Sequence, residues 1–174
     1  MKTTKSRIEK DSLGEIEIPY NAYYGVQTQR AVHNFPVSGW KAHPVMVDAY
    51  VYIKKAAAIT NAELGLLNKK IAGAIVKAAD EVLSGKHREH FVVDVYQAGA
   101  GTSHNMNSNE VLANRGIEIL GGKRGDYKII NPNDHVNMAQ STNDTFPTAM
   151  RLASLIMAQR LMPVIRHFQK TLDK

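Results

Sequence analysis

Apolar and polar residues alternate at the start of the chain. "RIEKD" and "EIEIP" flank Ser12-Leu13-Gly14, where Gly14 can take the positive φ of a tight turn, so a β-hairpin is predicted. The next stretch, "PYNAYYGVQTQRAVHNFPVSG", shows no sustained period and reads as an irregular segment or a short helix between turns. From Pro44 the pattern becomes helical, with Met46, Tyr50, Ile53, Ala57 and Leu64 forming one stripe up to Gly65. A second helix is predicted from an Asn68 cap through Ile71, Ile75, Ala78 and Val82, with Gly85 just past its end. "FVVDVYQ" is a short apolar run whose period does not separate strand from buried helix. A third helix is predicted over about residues 104–120, with Met106, Ala113, Ile117 and Leu120 on one side. After the loop "GGKRGDYKIINPND", a last helix runs from Thr145 and is apolar on nearly every face, the pattern of a helix covered by a large core or by other subunits. Pro163 should kink it.

Composition narrows the class. Of 174 residues, 44% are hydrophobic and 22% charged, an ordinary globular balance that argues against disorder. No apolar run approaches the roughly 18 residues that cross a bilayer. The polar start "MKTTKSRIEK" lacks the apolar centre of a signal peptide, and the absence of cysteine removes disulfides and thiolate metal sites. A cytoplasmic protein without a membrane partner is the expectation. The net charge of +6 would suit nucleic acid, but the basic residues are scattered in pairs (Lys54-Lys55, Lys69-Lys70, Lys123-Arg124) with little aromatic interleaving. A mildly positive field serves an anionic small substrate equally well, and nucleic acid is not expected.

Two polar constellations carry the candidate chemistry. "QAGAGTSHNMNSNE" combines two glycines with Thr102, Ser103 and a run of asparagines; Asn105, Asn107, Asn109 and Asn114 all weaken a helix interior, and Asn105 and Asn109 share a face. Thr102 or Ser103 is expected to cap the helix. Capping leaves the asparagines unaccounted for, and so points to a functional stretch. "STNDTFPT" offers Ser141 or Asp144 as a cap for a helix whose first turn holds Pro147; its free N–H groups and flanking hydroxyls also suit a carboxylate. Other signals are weaker. "GAG" lacks the third glycine of a dinucleotide loop, "GIEILGGK" misses the phosphate-loop spacing, and His87 and His90 of "HREH" show no third metal ligand. "RGD" carries no meaning without secretion. His135 serves a structural contact as readily as proton transfer, and no Ser-His-Asp spacing can be defended.

Taken together, "RIEKDSLGEIEIPYNAYYGVQTQRAVHNF", "QAGAGTSHNMNSNEVLANRGIEILGG" and "NPNDHVNMAQSTNDTFPTAMRLA" resemble, in order and spacing, the N-terminal motifs of the aspartase/fumarase superfamily. The resemblance implies a mainly α fold with a small N-terminal β-hairpin: an L-aspartase-like N-terminal domain over 1–143, and over 144–174 the first helix of a central helical bundle. It implies elimination of ammonia or water from a substituted succinate to give fumarate, without cofactor or metal in the chemistry, by a homotetramer. Thr102, Ser141 and Thr142 would then bind the substrate carboxylate and Asn143 would orient the amino end, with Ser103, Asn105 and His135 in support. The family's base is a serine in a Gly-Ser-Ser-x-Met-Pro-x-Lys-x-Asn-Pro loop, which is absent here and would lie beyond Lys174, so the isolated chain is expected to be inactive. "YYGV", "GDY" and the "NPNDHVN" beginning at Asn131 are similar to the ammonia-lyase branch, whereas "QTQR" and "TFPTAM" lean towards fumarases. Met138 departs from both branches, which usually carry lysine there. A non-catalytic dicarboxylate-binding module is the remaining alternative.

Overall fold

A computed structural model describes residues 5–173. The hairpin forms as predicted: β1 (Ser6–Asp11) pairs antiparallel with β2 (Gly14–Pro19), with Asp11 opposite Gly14. The turn is therefore Ser12-Leu13, closed by the Leu13 amide donating to Asp11 Oδ1 at 2.8 Å, and Gly14 has φ +111°. Alternation buries Ile18 completely while Ile8 stays 65% exposed, so only one face of the ribbon is covered.

The irregular stretch that follows has no period because one side chain organises it. The Arg7 guanidinium donates to the carbonyls of Pro19, Tyr20, Ala22 and Tyr24 at 2.7–3.2 Å, four bonds that replace a secondary-structure ladder. It ends in α1 (Val26–Asn34), tied back to the hairpin by a two-pronged Arg30–Asp11 pair at 2.9 and 2.7 Å. No local side chain caps α1. Glu110, far along the chain, accepts from the amides of Gly25, Gln27 and Thr28 at 2.8–3.0 Å, and Glu9 from that of Val26. A carboxylate at a helix N-terminus satisfies orphan donors and opposes the positive end of the dipole.

Four longer helices complete the fold: α2 (Pro44–Glu63), α3 (Lys69–Leu83), α4 (Thr102–Ile119) and α5 (Thr142–Leu172). α2 packs against α3 and the first half of α5, while α4 lies against α1 and α3. Val51, Ile75, Val82, Leu112, Ile117 and Ile130 form the centre of the main core. Asn68 caps α3 as predicted, accepting from the Lys70 amide at 2.8 Å. The stripe expected on α2 is only partly the buried one: Tyr50 is fully buried, but Leu64 is 67% exposed, and Val47, Val51 and Ala58 face the core instead.

"FVVDVYQ" is neither strand nor helix. It has a single bridge between Lys41 and Asp94; the Val92 and Tyr96 amides donate to the side chains of Asn107 and Asp94, and those of Phe91 and Val95 to the carbonyls of Arg88 and Trp40. α5 starts three residues earlier than predicted, so Pro147 lies in its second turn, and the expected boundary between 143 and 144 falls inside its first turn. The helix continues through Pro163 to Leu172. Ala149 and Ala153 bury against Val45, Ala49 and Tyr50, whereas Leu155, Leu161, Val164, Ile165 and Phe168 are exposed. None of the helices among the described residues is long and apolar enough to cross a membrane.

Candidate functional site

The site lies where the first turns of α4 and α5 meet. Residues 99–101 bring the chain there through two successive left-handed residues, Ala100 (φ 56°) and Gly101 (φ +81°). A Cβ on Gly101 would stand 1.9 Å from the Phe146 ring, so glycine here lets α5 dock; the stretch is a packing turn, not a phosphate cradle. Neither Thr102 nor Ser103 caps α4, contrary to expectation. They are its first two helical residues, and Gln97 provides the cap by accepting from the His104 amide at 2.6 Å.

The asparagines of α4 have structural partners that the sequence did not reveal. Asn107 accepts from the Val92 amide and donates to the His90 carbonyl, both at 2.9 Å, fixing segment 91–97. Asn114 accepts from the Gly125 amide at 2.7 Å and donates to the Tyr23 carbonyl at 2.8 Å. These two pin irregular backbone, as buried polar groups must if they are to be satisfied. Asn105 and Asn109 do share a face, and both donate to Asn137 Oδ1, at 3.1 and 3.3 Å. Asn105 alone reaches the start of α5, donating to Thr142 Oγ1 at 3.0 Å.

Beneath this junction sits Lys54 of α2, fully buried and missed in the sequence. Its ammonium donates to Asn105 Oδ1 at 2.6 Å and to Asn137 Oδ1 and Gln140 Oε1 at 2.9 Å. Burial pushes it down to about 7, against the pull of three oxygen acceptors that favour the charged form. The position four residues before Ala58 on a buried helix face was the available signal: a lysine in an apolar stripe. The same cation lies beside the turn that carries Met138, for Lys54 binds Asn137 before it and Gln140 two residues after it. His104, buried between Tyr50 and Phe146, is held neutral; burial and the Lys54 charge push it to about 4.

The remaining expected residues divide clearly. Ser141 is the N-cap of α5, its Oγ accepting from the Asn143 amide at 3.3 Å. Thr102 lies one turn before Asn105 on α4 and, like Ser141 and Asn143, is exposed. Thr102, Ser141, Thr142 and Asn143 thus cluster around the adjoining helix starts. Two do not join them. Ser103 turns away into a cavity lined by Gln27, Arg30 and Phe35. His135 is held within its own turn, Pro132–Val136, where Nδ1 accepts from the Asn131 amide at 2.9 Å. At "HREH", Glu89 supplies the third group the sequence lacked, its carboxylate within 4.8 Å of the imidazole nitrogens of His87 and His90. His87 already pairs with Glu81 at 3.1 Å, and Arg124 stacks on the Tyr23 ring beneath both imidazoles, a setting that opposes a cation.

The exposed hydroxyls of Thr102 and Ser141 thus stand at two helix N-termini that Asn105 links, chemistry suited to holding a carboxylate without neutralising it. Comparison with known proteins agrees with a lyase scaffold. The family described as "Lyase" matches residues 14–174, and the chain belongs to that family, within the aspartase/fumarase superfamily. It is 53% identical over 171 residues to an aspartate ammonia-lyase of Bacillus sp, covering 98% of this chain and 36% of that one. It is 56% identical over 149 residues to the class II fumarate hydratase of Halobacterium salinarum, covering 86% and 32%. A solved fumarate lyase:delta crystallin from Brucella melitensis, bound to cobalt, superposes with a TM-score of 0.91 at 51% identity, over 93% of this chain and 36% of that one. The chain therefore spans about a third of the length of these relatives.

Proposed function

We propose that the chain is the N-terminal domain of a cytoplasmic aspartate ammonia-lyase that reversibly eliminates ammonia from L-aspartate to give fumarate, with residues 144–174 opening the bundle through which a homotetramer assembles. The observation that carries this reading is the exposure of the uncharged side chains of Thr102, Ser141 and Asn143 at the starts of α4 and α5, which the Asn105–Thr142 bond ties together. Taking a proton from the carbon beside a carboxylate drives the electron pair into that carboxylate, giving an aci-carboxylate; its collapse forms the double bond and expels ammonia. The barrier falls when donors already stand where that charge develops, each worth about 3 kcal/mol. Thr102, Ser141 and Thr142 are the donors, and Asn143 faces the amino end. The proton acceptor is assigned, on the family resemblance, to a serine loop beyond Lys174.

Fumarate hydratase is the second reading, favoured by the similar identity to the Halobacterium enzyme. Fumarate release by the product of the complete gene, assayed with L-aspartate and with L-malate, decides between them. Turnover of L-aspartate is expected. Turnover of L-malate alone would establish the hydratase, and dicarboxylate binding without turnover of either would leave a binding module.

A further inference from the structure

We propose that Lys54 is a positioning residue: it sets the direction of the hydrogen bonds behind the site, so that the Thr142 hydroxyl donates outward to the substrate. This rests on Thr142 being one of the carboxylate donors. An ammonium has three hydrogens and no lone pair, so each of its partners must turn an oxygen towards it. The three partners of Lys54 Nζ are the side-chain amides of Asn105, Asn137 and Gln140, at 2.6, 2.9 and 2.9 Å, and none is a carboxylate. With its oxygen committed, Asn105 has only its NH₂ for the other side. That NH₂ meets Asn137 Oδ1 at 3.1 Å and Thr142 Oγ1 at 3.0 Å.

An amide nitrogen accepts nothing, so the Thr142 oxygen is the acceptor and its own hydrogen is directed elsewhere. Among the described residues no protein group takes that hydrogen. The Asn137 oxygen, receiving Lys54, Asn105 and Asn109, leaves its NH₂ for the Gln140 carbonyl at 3.2 Å, and the Gln140 NH₂ goes to the carbonyls of Val136 and Met138. One buried cation thereby polarises two layers of neutral side chains away from itself and towards the open face. Without it each amide could flip and Thr142 could donate inward. A buried ammonium facing only neutral groups is costly to keep, and a directional role accounts for its retention.

The test uses the product of the complete gene and reads kcat, KM and melting temperature. In Asn105→Asp the new carboxylate pairs with Lys54, so folding is retained, but it offers Thr142 only acceptors and draws the hydroxyl inward. Its kcat should fall on the order of 100-fold, the loss expected for one misdirected donor. In a Thr142→Val background the same substitution should cost less than about threefold, because the hydroxyl it misdirects is gone. Lys54→Met should show the same dependence on Thr142. Equal kcat losses with and without the Thr142 hydroxyl would overturn the relay and leave Lys54 and Asn105 as packing residues. Full turnover in Thr142→Val alone would overturn the donor assignment beneath it.

Discussion

Ser141 performs two tasks with one oxygen. As N-cap of α5 it accepts from the Asn143 amide, which leaves its own hydrogen free for an anion. Thr102 has no such structural task, being exposed at the first position of α4 without a capping bond. The two should therefore respond differently to truncation. Thr102→Ala is expected to lower kcat by about 100-fold and leave unfolding free energy unchanged. Ser141→Ala should lower kcat similarly and also cost about 1 kcal/mol of stability, the usual penalty for a lost cap. Steady-state kinetics with denaturant unfolding of both variants checks this, and unchanged turnover in either would remove that residue from the site. Residue identities were legible where the bond is local: Asn68 and Ser141 cap the helix that follows them. They were not legible where the partner is remote. Asn107, Asn114 and Lys54 look like residues that break a helical pattern, and only the fold shows which oxygen or amide each one meets.

Elements held by their own periodicity, α2 through α4 and the hairpin, were readable from the chain to within a few residues. Elements held by a side chain from elsewhere were not. α1 takes its N-terminal bonds from Glu110, and segment 91–97 is held in place because Asp94 and Asn107 satisfy its surroundings. The Asp94 carboxylate accepts from the amides of Ser38, Gly39 and Tyr96 and from the Ser38 hydroxyl, all at 2.7–2.8 Å. Burial opposes its charge, but these donors outweigh it and hold the carboxyl at about 2, below the ordinary 3.8. A depressed carboxyl contributes stability that is complete above the ordinary value and lost as pH falls through the depressed one. Acidification from about pH 4 to about pH 2 should therefore release the loop carrying Trp40, the sole tryptophan, whose amide bonds Ser38 Oγ. Trp40 emission is expected to change in that window, and Asp94→Ala should show the released signal already at neutral pH. A flat acid titration would show that the clamp does not hold the loop.

At the scale of the molecule, α5 has two unlike halves. The first packs on α2 through Ala149 and Ala153, and the second exposes Leu155, Leu161, Val164 and Phe168 at 55–63%. Covering such side chains is worth roughly 1.5–3 kcal/mol each, so the chain should self-associate through this half. Sedimentation across a concentration series is expected to show association, and Leu161→Glu with Phe168→Glu to abolish it; a monomer throughout would contradict the docking role of the helix. The all-round apolar pattern of α5 announced this in the sequence, because it depends on composition alone. The meeting of α4 with α5 did not, since it depends on Gly101 leaving room for the Phe146 ring.

α5 is also a lever. Its 31 residues make a rod about 46 Å long at 1.5 Å per residue, with Ser141 and Thr142 at one end and the bare apolar half at the other. Ala149 and Ala153 hold it against α2, so a tilt imposed on the far half pivots there and displaces Thr142, about 16 Å away, by about 0.3 Å for each degree, and misplacement near 1 Å is enough to cost 100-fold in rate. A partner that gripped the exposed Phe168 would therefore steer Thr142 through that pivot, a mechanical anchorage built into the distal half.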